Sequence, residues 1–150
     1  MDRRGALKVL GLAGSALTAL VGLPKLAMAS WAKTAFEARS GADALQGLYG
    51  GNATTPSDAV KLKAPDIAEN GAVVPIEVET DMDAESIAIL IEKNPSPLAG
   101  SFDLPAGTKA LVKTRVRMGE TTNVTAVVKS GGKLYTATKE VKVTIGGCGG

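Results

Sequence analysis

The stretch Asn123-Val124-Thr125-Ala126-Val127-Val128-Lys129-Ser130-Gly131-Gly132-Lys133-Leu134-Tyr135-Thr136-Ala137-Thr138 sets two runs rich in β-branched residues on either side of a Ser-Gly-Gly turn. Valine and threonine fit a pleated surface, and paired glycines supply the left-handed backbone a tight hairpin needs. The stretch is read as a hairpin of strands 123–129 and 133–138. Outward from it the same period of two recurs. Ile76 and Val78 alternate with Glu77 and Glu79, while Ala110, Val112, Thr114 and Val116 alternate with Lys109, Lys113, Arg115 and Arg117. Alternation of this kind marks half-buried strands. Ser86 to Ile91 is apolar on both faces and suits an interior strand. A final strand puts Val141, Val143 and Ile145 on one face with Lys142 and Thr144 on the other. Several short strands with turn signals between them and no intervening helical pattern indicate an all-β fold, an immunoglobulin-like antiparallel β-sandwich. An open barrel is the second architecture that fits.

Ahead of the strands the period is helical. Trp31, Ala35, Ala38, Ala42, Leu45 and Leu48 recur at steps of three or four, which lines them along one helical stripe. Ser40-Gly41 weakens the middle, so the segment is one helix or two short ones. Gly50-Gly51-Asn52 and Thr54-Thr55-Pro56 end the pattern.

Two charged series need a role. Glu77, Glu79, Asp81, Asp83 and Glu85 on one side, and Lys109, Lys113, Arg115 and Arg117 on the other, fit either partner surfaces or the solvated side of alternating strands. The acidic series lacks the glycine and distal glutamate of a twelve-residue calcium loop.

Composition narrows the chemistry. The 150 residues hold 17 Lys and Arg, 15 Asp and Glu, 18 Gly, five aromatics, one Cys and no His. Without histidine there is no Ser-His-Asp or Cys-His relay, no histidine metal ligand and no axial histidine for a haem. One cysteine excludes an internal disulfide and any multi-cysteine metal centre, so no resident metal or cofactor is expected. Few aromatics and a near-neutral charge also argue against a nucleic-acid binder.

Residues 1–29 read as an address. Arg3 and Arg4 precede an apolar run from Val9 to Leu23, and Ala27-Met28-Ala29 forms an A-x-A exit. Charge, length and exit chemistry are those of a cleaved signal peptide, and the run is short of the roughly 20 residues of a spanning helix, so no membrane anchor is expected after cleavage. The paired arginines, with Leu7 and Lys8 following, resemble a twin-arginine signal, although Ala6 stands where a large apolar residue is usual. A bacterial periplasmic destination follows. Cleavage after Ala29 removes four cations and Asp2, leaving 13 cations against 14 anions in 121 residues, enough for one domain, assigned to 30–145.

The chain closes on Gly146-Gly147-Cys148-Gly149-Gly150, read as a flexible arm of residues 146–150. Glycine has no side chain to bury and the widest backbone freedom, and five extended residues reach roughly 17 Å. Free cysteine is ordinarily buried and inert, so a lone thiol on such a tether suggests that reactivity is wanted. Its pKa is expected near the free value of about 8.5, which makes the arm a poor catalyst by itself and a good attachment point for another protein to activate. On these residues alone three readings stay open: a swinging-arm carrier with covalent cargo on Cys148, a secreted module that dimerises through a Cys148 disulfide, and an incidental tail. A thiol enzyme acting alone would lack a base.

The sequence resembles the SoxY family of sulfur-compound carriers. The resemblance rests on Gly146-Gly147-Cys148-Gly149-Gly150 preceded by Val141-Lys142-Val143-Thr144, on Ala64-Pro65-Asp66-Ile67-Ala68-Glu69-Asn70-Gly71-Ala72-Val73-Val74-Pro75, on Asn94-Pro95-Ser96-Pro97-Leu98, on Thr114-Arg115-Val116-Arg117 and on the twin-arginine leader. It implies an immunoglobulin-like sandwich paired with SoxZ, a non-enzyme, with Cys148 as the covalent attachment residue and Gly146, Gly147, Gly149 and Gly150 as its arm. It implies further that SoxAX couples thiosulfate to the thiol as an S-thiosulfonate. SoxB then releases sulfate and leaves a persulfide, which sulfane dehydrogenase SoxCD oxidises where present. Haem and metal chemistry would reside in those partners.

Overall fold

Gly131 and Gly132 take φ of 57° and 74°, both in the left-handed region, and the ladder closes directly across them with Ser130 opposite Lys133. A two-residue turn with positive φ at both positions matches the strand twist, and only glycine adopts it without cost. The structure, a computed structural model, describes residues 32–144. The expected domain lies within that span except at its two ends. The signal peptide of residues 1–29 and the arm of residues 146–150 lie outside the described residues.

Nine strands occur among the described residues: β1 (Thr54–Pro56), β2 (Val60–Lys63), β3 (Ile67–Ala68), β4 (Val74–Thr80), β5 (Ser86–Ile91), β6 (Leu98–Asp103), β7 (Leu111–Val116), β8 (Thr122–Ser130) and β9 (Lys133–Val143). The larger sheet runs β1-β9-β8-β5-β6, with β3 also on β9, and the smaller runs β2-β4-β7. The expected sandwich is present. Two short pairings depart from the antiparallel rule, since β1 and β3 both run parallel to β9.

The core follows from the alternation. Ile87, Ile89 and Ile91 of β5 and Val124, Ala126 and Val128 of β8 meet Val74, Ile76, Val78, Val112 and Val116 of the smaller sheet. The opposite side of β5 and β8, through Ala88, Leu90 and Val127, packs under two helices. That second cover is why Ser86 to Ile91 is apolar on both faces: all six residues are buried.

The helices are α1 (Lys33–Glu37) and α2 (Gly41–Tyr49). Ser40 is extended and its Oγ accepts the Asp43 N–H at 3.1 Å, capping α2. Gly50 closes it at φ 71°. The break at Ser40 rephases the second helix, so the expected continuous stripe is corrected. Ala35, Ala44 and Leu45 are buried while Ala42 is exposed. Two further corrections concern strands. Thr54-Thr55-Pro56, read only as the end of a helix, forms β1, and the two strands expected after Gly132 are one of 11 residues. Lys139 and Glu140 did not read as strand interior; Lys139 is accommodated because its Nζ donates to the Ala64 carbonyl at 2.6 Å and pairs with Asp66 at 2.9 Å.

Candidate functional site at the root of the C-terminal arm

The end of β9 carries the chain toward Cys148, and it is held on both edges. On one edge, Lys142 N–H donates to the Asp66 carbonyl at 3.0 Å and Thr144 N–H to the Ala68 carbonyl at 3.2 Å. These bonds accompany the parallel pairing of Ile67 with Lys142 and Ala68 with Val143. On the other edge, β8 pairs with β9 only as far as Thr122 opposite Val141. One residue further, the Thr121 hydroxyl takes over and accepts the Val143 N–H at 2.9 Å. Thr144 Oγ1 donates to the Glu69 carbonyl at 3.4 Å. Val141 and Ala68 are buried in the core beneath this junction. The strand thus keeps its hydrogen bonds to the last described residue, as a buried backbone must.

Cys148 and the glycines Gly146, Gly147, Gly149 and Gly150 lie outside the described residues. Covalent geometry alone bounds the thiol's residue: four residues past Thr144, its Cα lies within roughly 14 Å of the Thr144 Cα. A concavity of about 570 Å³ opens beside the junction, lined by Thr121, Val143 and Thr144 together with Glu92, Lys93, Glu120 and Glu140. Asn123 Nδ2 donates to Glu92 Oε2 at 3.0 Å, fixing one carboxylate there. Three carboxylates and one ammonium thus line this concavity, and Lys142 is exposed on the strand beside it.

The charged series resolve differently from a pair of separate surfaces. β4 and β7 lie side by side with Glu77 opposite Lys113, and β2 brings Lys63 opposite Glu77 from the other flank. Glu77 pairs with Lys63 at 2.8 Å and with Lys113 at 3.1 Å. Lys109 reaches Glu79 at 3.2 Å, Lys61 reaches Asp81 at 3.6 Å and Lys129 reaches Glu85 at 3.3 Å. Hydrogen bonds from Lys63 and then Lys113 hold the Glu77 carboxyl below its ordinary range, and the same contact pushes the Lys63 ammonium up. The Lys139 hydrogen bond does likewise for Asp66. Four of the five acidic residues and both lysines of the basic series are thus ion-paired, while Asp83, Arg115 and Arg117 are in no ion pair among the described residues.

Sequence reasoning did not find Thr121 or Lys139, and Ala68 entered it only within the stretch that carries the family resemblance. Nothing in Thr121-Thr122 distinguishes a strand-end acceptor from a loop residue, and a two-residue strand such as β3 has no period to detect. Among the described residues, no group of three or more His, Cys, Asp or Glu side chains is placed to hold a metal ion.

A family model described as sulfur oxidation protein SoxY matches residues 45–148, more than half of the chain. Among solved structures the chain is similar to the sulfur carrier protein SoxY from Chlorobium limicola f thiosulfatophilum, at 46% identity and a TM-score of 0.63 over 69% of this chain and 94% of that one. It is also similar to a superoxide reductase (neelaredoxin) from Ignicoccus hospitalis, at 16% identity and a TM-score of 0.52 over 57% and 80% of the two chains. At that identity the second likeness shows shared architecture alone. No curated protein sequence matches. The class defined by sandwich and likeness together is that of immunoglobulin-like sulfur carriers. The chain belongs to the SoxY family, and the family match includes its one cysteine, Cys148.

Proposed function

We propose that this protein is a periplasmic, non-enzymatic carrier that holds sulfur intermediates of thiosulfate oxidation covalently on Cys148, as one half of a heterodimer with SoxZ. The observation that carries the reading is the SoxY family match running through the only thiol in the chain. Export by the twin-arginine route is the reading of residues 1–29, supported by Arg3-Arg4 and the Ala27-Met28-Ala29 exit.

In this scheme the Cys148 thiol and the terminal sulfur of thiosulfate form an S–S bond, losing the thiol proton and two electrons to the haem partner SoxAX. Water then attacks the sulfonate sulfur on SoxB. The S–S bond to that sulfur breaks, sulfate and a proton leave, and a persulfide remains on Cys148. SoxCD, where it occurs, oxidises the outer sulfur. The carrier's own part is to present one unambiguous thiol and to hold the strand leading to it in a fixed position. A two-edged anchor ending at Thr144 with only glycines around Cys148 suits that division: a rigid root and a thin tip able to enter a partner's pocket.

Intact-mass measurement tests the reading. Incubation with thiosulfate and the coupling partner is expected to add the mass of one thiosulfate, confined to the C-terminal peptide and absent from Cys148→Ser. An adduct retained in that variant overturns the assignment. A uniformly disulfide-linked pool in freshly prepared periplasm would instead favour dimerisation through Cys148.

A further inference from the structure

One part of the basic series is left over once the strands pair. On the outer face of the smaller sheet Lys63, Glu77 and Lys113 form one neutralising row, but in the next row the residue opposite Arg115 is Pro75. Pro75 lies beyond the end of the β2 pairing, near the start of β4, where a residue without an N–H is tolerated. The guanidinium of Arg115 thus has no carboxylate across the strand, and Arg117, two residues on, forms no ion pair among the described residues either. Both side chains are exposed, and both alternate with buried Val116 and Met118.

The surroundings are concave rather than flat. A cavity of about 600 Å³ with Ala64, Pro65 and Pro75 in its wall opens on one side of Arg115, and Lys63, Glu77 and Lys113 also line it, so that three cations there face one carboxylate. A second, of about 240 Å³, opens between β6 and β7 and is lined by Phe102, Arg115 and Arg117. The backbone beneath Arg117 is held in place, since its carbonyl accepts from Asn94 Nδ2 at 2.7 Å. β7 is also an outer strand of its sheet, paired on one side only.

We propose that the Arg115–Arg117 edge of β7 is a docking site for an acidic, extended segment of a partner protein whose carboxylates stand at alternate positions. Alternate residues of an extended chain project the same way and repeat at about 6.6–6.8 Å, and Arg115 within β7 and Arg117 one position past its end are likewise alternate residues. Each guanidinium can grip a carboxylate through two parallel hydrogen bonds, while the Pro65 and Pro75 rings offer apolar contact beside them. A simple inorganic anion would fill only a fraction of the larger cavity. Edge protection alone is already served by Lys113 and needs no flanking cavities.

The test uses the full chain, 15N-labelled, with the peptide Ac-Thr-Glu-Thr-Glu-Thr-NH2, its Gln-for-Glu counterpart and sodium sulfate at matched ionic strength. Saturable shifts at the amides of Ala64 and Thr114 to Arg117 are expected with the Glu peptide, with a Kd of about 1 mM or tighter. Arg115→Ala should weaken binding about tenfold, Lys133→Ala on the distant hairpin turn should leave it unchanged, and the Gln peptide should not bind. Four outcomes overturn the proposal: no saturable shift by about 10 mM peptide, equal shifts with sulfate, shifts centred elsewhere, or unchanged affinity in Arg115→Ala. None of these readouts involves the thiol, so the carrier assignment stands or falls separately.

Discussion

The Thr121 hydroxyl accepts the N–H of Val143 at 2.9 Å, replacing the strand partner that β9 loses where β8 ends. A single side chain thereby secures one edge of the strand that leads to the arm. Thr121→Val keeps the shape and removes the acceptor. Its expected cost is about 1 kcal/mol in urea unfolding, with faster hydrogen exchange at the Val143 amide and little change at Ala126 in mid-sheet. Unaltered exchange at Val143 would remove Thr121 from the anchor.

The pairs Asp66–Lys139 and Glu77–Lys63 set an acid dependence. Both carboxyls titrate below their ordinary values of 3.8 and 4.5 in the folded protein. Their contribution is complete above those values and is lost as the pH falls through the lowered folded ones. Asp66→Asn and Glu77→Gln are therefore expected to melt below wild type near neutrality and to converge with it in acid, so that wild type shows the steeper loss of Tm. Both groups are solvated, so the differences should be small and shrink with added salt. Parallel wild-type and variant curves from pH ~7 to ~2 would show that these contacts do not matter to stability.

Gly47 is where α2 passes over α1. A Cβ there would stand 3.0 Å from the Ala35 backbone nitrogen and 3.1 Å from its Cα, contacts that a backbone cannot relieve cheaply. Gly47→Ala should lose about 1–3 kcal/mol through overpacking, in spite of the better helix propensity of alanine. Gly51, whose added Cβ would meet nothing within 4 Å, is the control: Gly51→Ala should stay within about 0.5 kcal/mol of wild type. Thermal melts of the two variants side by side decide the point.

Legibility in the sequence divided along the range of the interaction. The Gly131-Gly132 hairpin, the two-sided burial of Ser86 to Ile91 and the break at Ser40 are local patterns, and each was readable in a window of a few residues. β1 was not, because an exposed three-residue strand has no hydrophobic period and is defined only by Leu134 to Thr136, far along the chain. The pairing of the charged series was likewise hidden, since alternation shows that Glu77 and Lys113 face water but not that they face each other.

By itself, then, the sequence determined the sandwich class, the hairpin turn and a lone thiol among glycines, because each follows from side-chain period or from backbone freedom at named positions. Tertiary structure alone decided which charges cancel, that Pro75 leaves Arg115 without a carboxylate, and that Ala68 and Thr121 hold the root of the arm. Those facts depend on register between strands distant in the chain, with 22 residues separating Thr121 from Val143 and 75 separating Ala64 from Lys139. Register is a property of the assembled core, since only packing of both sheets selects one alignment of strands over the next.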